Sequence, residues 1–290
     1  MATFYNRASL SYGGTTTNSN IVEGQLIEVV SASKTVLSSS YASGENIVYA
    51  INIVNSGATD VNGVSVTDNL GSYMFVTEAG TEISLTPLTY LDGSVKVYLN
   101  GTLSNITPTV SAGPPLVFSN LSVPANSNIS IIYEATVNGF APLGAGDTIT
   151  NTAIVAGDGI AEPLTLTATV DTGVAPALTI AKAICPATVT DNGQLTYTFI
   201  IQNSGNEEVV GTGDLVLTDT FSPILNPISV TLNGAPLAEG TGYTYDETTG
   251  EFATLPGQLT VPAATYTQDG TTGAITVSPG VTVLTVTGTV

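Results

Sequence analysis

A lysine, an aspartate and an asparagine recur in this sequence at corresponding places. Lys34 lies in "VSASKTV" and Lys182 in "LTIAKAI"; the chain has only one other lysine. Asp68 lies in "VSVTDNL" (64–70) and Asp219 in "LVLTDTF" (215–221). Asn151 opens "NTAIV" (151–155), and Asn6 opens "NRASL" (6–10). Read as strands, in which alternate residues share a face, all of these fall in phase with apolar neighbours. Lys34 aligns with Val30, Ala32 and Val36, and Lys182 with Leu178, Ile180 and Ile184. Asp68 aligns with Val64, Val66 and Leu70, and Asp219 with Leu215, Leu217 and Phe221.

Isolated charges in a core are very unfavourable, so such groups must pair or neutralise. Burial lowers a lysine's pKa and raises that of a carboxylic acid. A neutral amine is a nucleophile, a protonated carboxyl polarises an amide and carries a proton, and an asparagine carboxamide is an acyl donor that releases ammonia. Together they supply what a spontaneous Lys–Asn isopeptide bond requires. The same residues would also serve as a buried ion pair with the asparagine hydrogen-bonded beside it. A one-residue slip of register would turn them all to solvent. The agreement of two copies argues against that slip.

The elements that position these groups are expected to be strands. Thr, Val and Ile dominate, and Lys, Arg and Met are scarce, which favours an all-β chain. Short alternating segments are separated by Asn, Gly, Asp and Pro, the pattern of a β-sandwich. "NIVYAINIVNSG" (46–57) matches "QLTYTFIIQNSG" (194–205), "VYLNG" (97–101) matches "VTLNG" (230–234), and "ISIIYEATV" (129–137) is similar to "VTVLTVTGTV" (281–290). The chain is therefore expected to hold two tandem immunoglobulin-like sandwiches, over 21–160 and 161–290.

The copies are out of phase with the ends. In the first, "ISIIYEATV" is followed by a turn and "TITNTAIV" (148–155); in the second, the corresponding segment ends at Val290. The second sandwich is thus expected to lack its last strand. The matching pattern stands at the other end, in "NRASL", 145 residues before "NTAIV". Residues 1–12 read as a donor strand with Phe4, Asn6, Ala8 and Leu10 on one face, corresponding to Ile149, Asn151, Ala153 and Val155. "GGTTTNSN" (13–20) reads as a flexible tether. A sandwich short of a strand exposes an apolar groove and unpaired edges. Filling it with the next molecule's leading strand is β-strand addition, and a head-to-tail contact of that kind propagates as a filament.

Composition limits the other functions. A formal charge of −19 with four basic residues argues against nucleic acid and anionic membranes as partners. No apolar run approaches a membrane span, and "MATFYNRASL" has neither the basic start nor the apolar stretch of a signal peptide. One cysteine, Cys185, permits no intrachain disulfide and is expected to be buried as a small apolar residue, an intermolecular disulfide being the other option. The chain has no His, no Trp and no carboxylate pair at an identifiable cleft, so neither an enzyme active site nor a cofactor or metal site is expected. Glu207–Glu208 are expected to be solvated.

At Lys34, Gly44–Tyr49 (one residue longer than the usual pattern), Asn55–Gly57, Val66–Asp68 and Asn151–Ala153, the chain resembles a repeat domain of unknown function found in bacterial surface proteins. The second copy repeats the pattern at Lys182, Gly193–Tyr197, Asn203–Gly205 and Leu217–Asp219, without the closing strand. The chain is also similar to the isopeptide-stabilised immunoglobulin-like domains of Gram-positive pilins and adhesins. That resemblance implies a bond from Lys34 to Asn151 assisted by Asp68. It further implies one from Lys182 to Asn6 of a neighbouring molecule, assisted by Asp219. The expected product is an extracellular homopolymer, pilus-like on a cell surface. The assembly logic also resembles that of endospore appendages, built inside the mother cell without a signal peptide. A monomeric adhesin or stalk whose leading strand folds back on its own chain, and a virion decoration or tail fibre, are the competing readings.

Overall fold

The structure, a computed structural model, describes residues 2–26, 28–211 and 215–290; all regular secondary structure among them is β-strand. Met1, Ile27 and residues 212–214, which fall inside the expected donor strand and the two expected domains, lie outside the described residues. The chain divides into two compact units. One comprises Met1–Met74, Ser84–Asn138 and Ile149–Val170, and the other Phe75–Ile83, Gly139–Thr148 and Asp171–Val290.

In the first unit, one sheet runs in the order Thr102–Leu103, Lys96–Leu99, Ser127–Val137, Asn46–Asn55 and Val30–Val36, with Leu88–Tyr90 also on Ser127–Val137. The other runs Thr109–Ser111, Leu116–Val123, Val61–Asp68, Thr148–Ala156 and Leu164–Asp171. We call Val30–Val36 the lysine strand, Val61–Asp68 the aspartate strand, Thr148–Ala156 the asparagine strand and Leu164–Asp171 the cover strand. Alternate residues of Asn46–Asn55 and Ser127–Val137 are buried, Ile47, Tyr49, Ile51 and Ile53 against Ile129, Ile131 and Tyr133. The second sheet supplies Val64, Val66, Leu116, Phe118, Ala153 and Val155, all fully buried. Fully burying such a Val, Leu, Ile or Phe side chain contributes about 1.5–3 kcal/mol.

The cover strand lies beyond the boundary expected at 160. Its alternating Leu166, Ala168 and Val170 are buried, so the first unit keeps them through Val170. The turn at 157–163, with Gly159 at φ 81° and Pro163, joins two strands of one sheet and is not a domain linker.

The second unit repeats the first sheet: Leu178–Cys185, Gln194–Asn203, Gly280–Thr289, Ile228–Leu232 and Ala235–Leu237. Facing positions are filled by Leu195, Tyr197, Phe199, Leu217, Phe221, Phe252, Leu284 and Val286 in one cluster. Among the described residues its other sheet has Thr218–Thr220, Glu251–Thr254 and Tyr243–Tyr245 in order. Asp219 pairs with Phe252 as Asp68 pairs with Leu116. On its other side Asp68 pairs with Ala153 of the asparagine strand. Among the described residues, nothing takes that side of Thr218–Thr220. The aspartate strand expected over 215–221 is correspondingly reduced to three residues.

Residues 2–26 form a hairpin, with most side chains between Thr3 and Gln25 exposed. Ala2–Asn6 pairs with Val22–Leu26 and Ser9–Tyr12 with Thr15–Asn18. Residues 13–20 are therefore not a loose tether. Gly13 and Gly14, at φ 58° and 81°, make the two-residue turn that such hairpins favour, and the β-branched run Thr15–Thr17 extends from it. The aromatic ring of Phe4 lies over Gly24, where an added Cβ would come within 2.3 Å of it.

Candidate functional site

In the first unit the lysine and aspartate strands, from opposite sheets, turn Lys34 and Asp68 toward each other across the core. Lys34 Nζ donates to Asp68 Oδ2 at 2.6 Å, and both side chains are wholly buried. The Tyr133 hydroxyl donates to the same oxygen at 2.5 Å. Asn151 Nδ2 donates to the Tyr133 oxygen at 3.4 Å, so the hydroxyl bridges carboxylate and carboxamide. The turn after the aspartate strand completes the cluster. Leu70 and Gly71 adopt φ of 53° and 73°, which directs the Leu70 N–H to Asp68 Oδ1 at 2.8 Å and the Gly71 N–H to Asn151 Oδ1 at 3.2 Å. A side chain at Gly71 would meet both that left-handed backbone and Ile149, whose Cγ2 would lie 2.7 Å from the new Cβ.

The surroundings are aromatic. Lys34 Nζ sits 4.9 Å from the centre of the Tyr49 ring, which stacks on Tyr133 at 5.6 Å. Among the described residues the buried Tyr49 hydroxyl has no hydrogen-bond partner of good geometry, although the Asn151 carboxamide is close enough to influence its ionisation. Burial pushes the Lys34 ammonium down to about 8, outweighing the attraction of Asp68. Burial and the neighbouring Asp68 push the Tyr49 and Tyr133 phenols up, so both stay protonated, and Tyr133 donates to Asp68.

The second unit carries the same ion pair in an open setting. Lys182 Nζ donates to Asp219 Oδ2, with 40% and 18% of the two side chains exposed. The ammonium lies 4.5 Å from the Tyr197 ring centre and 5.3 Å from that of Phe199. The expected burial of this pair is therefore not met within one chain. The whole of Leu178–Cys185 is exposed, Ile180 at 62%, whereas Val30 and Lys34 on the first lysine strand are buried. Cys185, expected to be buried, is exposed with it. For Ile180 and Lys182 the physical reason is that the asparagine and cover strands of the first unit have no counterpart among the described residues of the second. Cys185 falls out of phase with them on the outward face, like its first-unit counterpart Leu37, which is 59% exposed.

Asn6, Ala8, Phe4 and Leu10 lie exposed in the N-terminal hairpin, Phe4 at 56% and Leu10 at 68%. The single chain thus brings Lys34, Asp68 and Asn151 together, and Lys182 with Asp219, but takes Asn6 to neither cluster. Sequence reasoning passed over Tyr133 and Gly71. Tyr133 falls in phase with Ile129, Ile131 and Ala135, so a polar-tipped residue on an apolar face was there to be read. It lacks a partner copy: Tyr49 pairs with Tyr133, but Tyr197 pairs with Val286.

No family model and no curated protein matches the chain. Among solved structures, the chain is similar to the full-length major pilin SpaD of Corynebacterium diphtheriae, at 13% identity and a TM-score of 0.36, over 59% of this chain and 41% of that one. It is also similar to the pilus backbone protein RrgB of Streptococcus pneumoniae, at 15% identity and 0.34, over 86% and 55%. A third is BcpA, the major pilin subunit of Bacillus cereus, at 12% and 0.32, over 96% and 73%. The chain spans less than two thirds of the SpaD and RrgB chains. At these TM-scores the likenesses carry no argument about function, and the β-sandwich architecture rests on the strand order given above.

Proposed function

We propose that the chain is a structural subunit of a self-assembling extracellular filament, pilus-like or a spore appendage. It joins head to tail by donor-strand addition and is locked by Lys–Asn isopeptide bonds. The observation that carries this reading is the contrast between the two lysine strands: covered in the first unit, open in the second. Asn6, Ala8 and Leu10 repeat the spacing of Asn151, Ala153 and Val155, whose side chains are fully buried in the first unit. Applying the register of the first unit, where Ala153 faces Asp68 and Val155 faces Val66, sets Ala8 opposite Asp219 and Leu10 opposite Leu217 of another copy. Asn6 then takes the position of Asn151. The experiment is a size measurement followed by boiling in SDS and reducing agent. A ladder of covalent multimers is expected; a monomer in both overturns the filament and favours a stalk module.

The bond chemistry at Lys34 balances without a cofactor. The neutral Nζ attacks Asn151 Cγ, and the developing negative charge on Oδ1 is stabilised by the Gly71 N–H. Asp68 takes the proton from Nζ. Tyr133, touching both Asp68 and Nδ2, hands its own proton to the departing nitrogen and takes the one held by Asp68 in its place, so that both side chains return to their starting forms. An amide forms, the carboxamide C–N bond breaks and ammonia leaves, so the chain loses about 17 Da per bond. With the amine at about 8, roughly a tenth of it is neutral at pH 7 and about a hundredth at pH 6. In freshly refolded protein the 17 Da loss should quicken about tenfold from pH 6 to pH 7 and level off above about pH 8. A rate independent of pH in that range would remove the free amine from the slow step.

Tyr133→Phe keeps the ring and its stacking but deletes the bridge between Asp68 and Asn151. Loss of one positioned proton carrier should slow the mass loss by roughly a hundredfold while circular dichroism stays unchanged. An unchanged rate would reduce Tyr133 to packing.

A further inference from the structure

We infer that the donor is the whole hairpin 2–26: two strands enter the neighbour, with Val22–Leu26 serving as its cover strand. This rests on the donor reading above and changes its partner surface. Among its described residues the second unit lacks counterparts of both the asparagine strand and the cover strand, not of one alone. A single donor would restore the first and leave its outer edge bare.

The hairpin has the geometry for both. In the first unit the Thr150 and Thr169 hydroxyls meet at 3.0 Å, which sets the asparagine and cover strands in register on their outward face. Shifted by the 145-residue spacing, Thr150 becomes Tyr5, and Tyr5 pairs with Glu23. Glu23 is then the counterpart of exposed Thr169, Val22 of Ala168 and Gly24 of Val170; those last two cover-strand residues are 8% and 3% exposed. Residues opposite each other in an antiparallel pair share a face. Asn6 with Val22 and Phe4 with Gly24 therefore form the inward face, and Tyr5 with Glu23 and Thr3 with Gln25 the outward one. The inward pairing trades volume across the strands, a large Phe4 over Gly24 where the first unit has Ile149 and Val170. Val22 is 55% exposed in the single chain, an apolar residue open to solvent.

The order along the chain agrees. The cover strand Leu164–Asp171 leads directly into the second lysine strand, and Val22–Leu26 leads directly into the first. The sequence is thus two repeats that each begin with an asparagine strand and a cover strand, and each pair completes the sandwich formed by the preceding repeat. Within the chain the preceding repeat is the first unit; for residues 2–26 it is the second unit of another copy.

The test is thiol protection in the full chain carrying Cys185→Ser, with Val22→Cys in one variant and Gln25→Cys in another. Multimers and monomers are treated with a maleimide, then boiled and resolved on a denaturing gel. The thiol introduced by Val22→Cys should label at least tenfold more slowly in multimers than in monomers. The thiol introduced by Gln25→Cys should label at about the same rate in both, because only the inward face is desolvated. Multimers of the Val22→Cys variant that label as fast as its monomers would overturn the two-strand donor and leave the single-strand one standing. Absence of multimers from the unmutated chain would overturn both. As a second measure, Val22→Asp should slow appearance of the ladder at least tenfold, by placing a charge in the buried face, while Glu23→Lys leaves it unchanged. Equal rates for the Val22→Asp and Glu23→Lys variants would also overturn the proposal.

Discussion

Asn6→Ala and Lys182→Ala should each abolish every covalent band above the monomer, while multimers seen before denaturation persist in Asn6→Ala. The two effects separate because different atoms carry them. On the proposed donor reading, assembly draws on Phe4, Ala8 and Leu10 and on the edge of Thr218–Thr220 left open among the described residues, none of which Asn6→Ala touches. The covalent lock needs an acyl donor and an amine, and at the second site Asn6 and Lys182 are the residues the pattern supplies. Lys182→Ala removes the amine that sits over the Tyr197 and Phe221 rings and leaves Asp219 without its counter-charge. Since 18% of the Asp219 side chain is exposed in the single chain, that carboxylate still reaches water before docking, so the monomer should fold. Desolvating it on docking is costly, and native multimers should weaken in Lys182→Ala where they hold in Asn6→Ala. The proposed bond inside the first unit is independent of both: each variant should keep its loss of about 17 Da at Lys34. The measurement is a denaturing gel beside intact mass. A ladder that survives Lys182→Ala would place the intermolecular bond elsewhere or dismiss it.

The all-β class and the internal repeat were legible because alternation is written directly into segments such as 46–57 and 194–205. The Lys34–Asp68 pair was legible for the same reason: two charges in phase with apolar neighbours can be tolerated only if they meet. What escaped depends on geometry without a residue signature. The boundary expected at 160 fell short because a turn holding Gly159 and Pro163 looks alike whether it ends a domain or joins two strands of one sheet. The tether was misread because Thr and Asn suit a linker by polarity and a strand by β-branching, and the two glycines that decide the matter had to be recognised as a hairpin turn. Gly71 gave no sign of its role, since the donor it offers is a backbone N–H. The outward position of Cys185 was legible, since it falls out of phase with Ile180, Lys182 and Ile184. The exposure of Lys182 could not be read from its own strand at all. It depends on strands that have no counterpart among the described residues of the second unit.

Lys34→Ala should destabilise the first unit more than Asn151→Ala, and the difference separates the crosslink from the ion pair. Both variants lose the proposed bond, which would close a loop of about 120 residues; on the chain-entropy relation for crosslinks this is worth about 4–5 kcal/mol. Asn151→Ala leaves Lys34 and Asp68 paired at 2.6 Å, with Tyr133 and the Leu70 N–H still donating to the carboxylate. Lys34→Ala leaves the fully buried Asp68 without its counter-charge, a further cost of about 3–5 kcal/mol for breaking a buried pair. For a unit of this size each kcal/mol moves the melting temperature by about 2–4 °C. Asn151→Ala should therefore melt about 10–20 °C below the parent, and Lys34→Ala about 10 °C lower again. A double variant, Lys34→Ala with Asp68→Leu, removes the unpaired charge along with the amine and should return toward Asn151→Ala. If no bond forms in the parent, Asn151→Ala would cost only the local hydrogen bonds to Tyr133 and Gly71, about 1–3 kcal/mol, and the parent's mass would equal that calculated from its sequence.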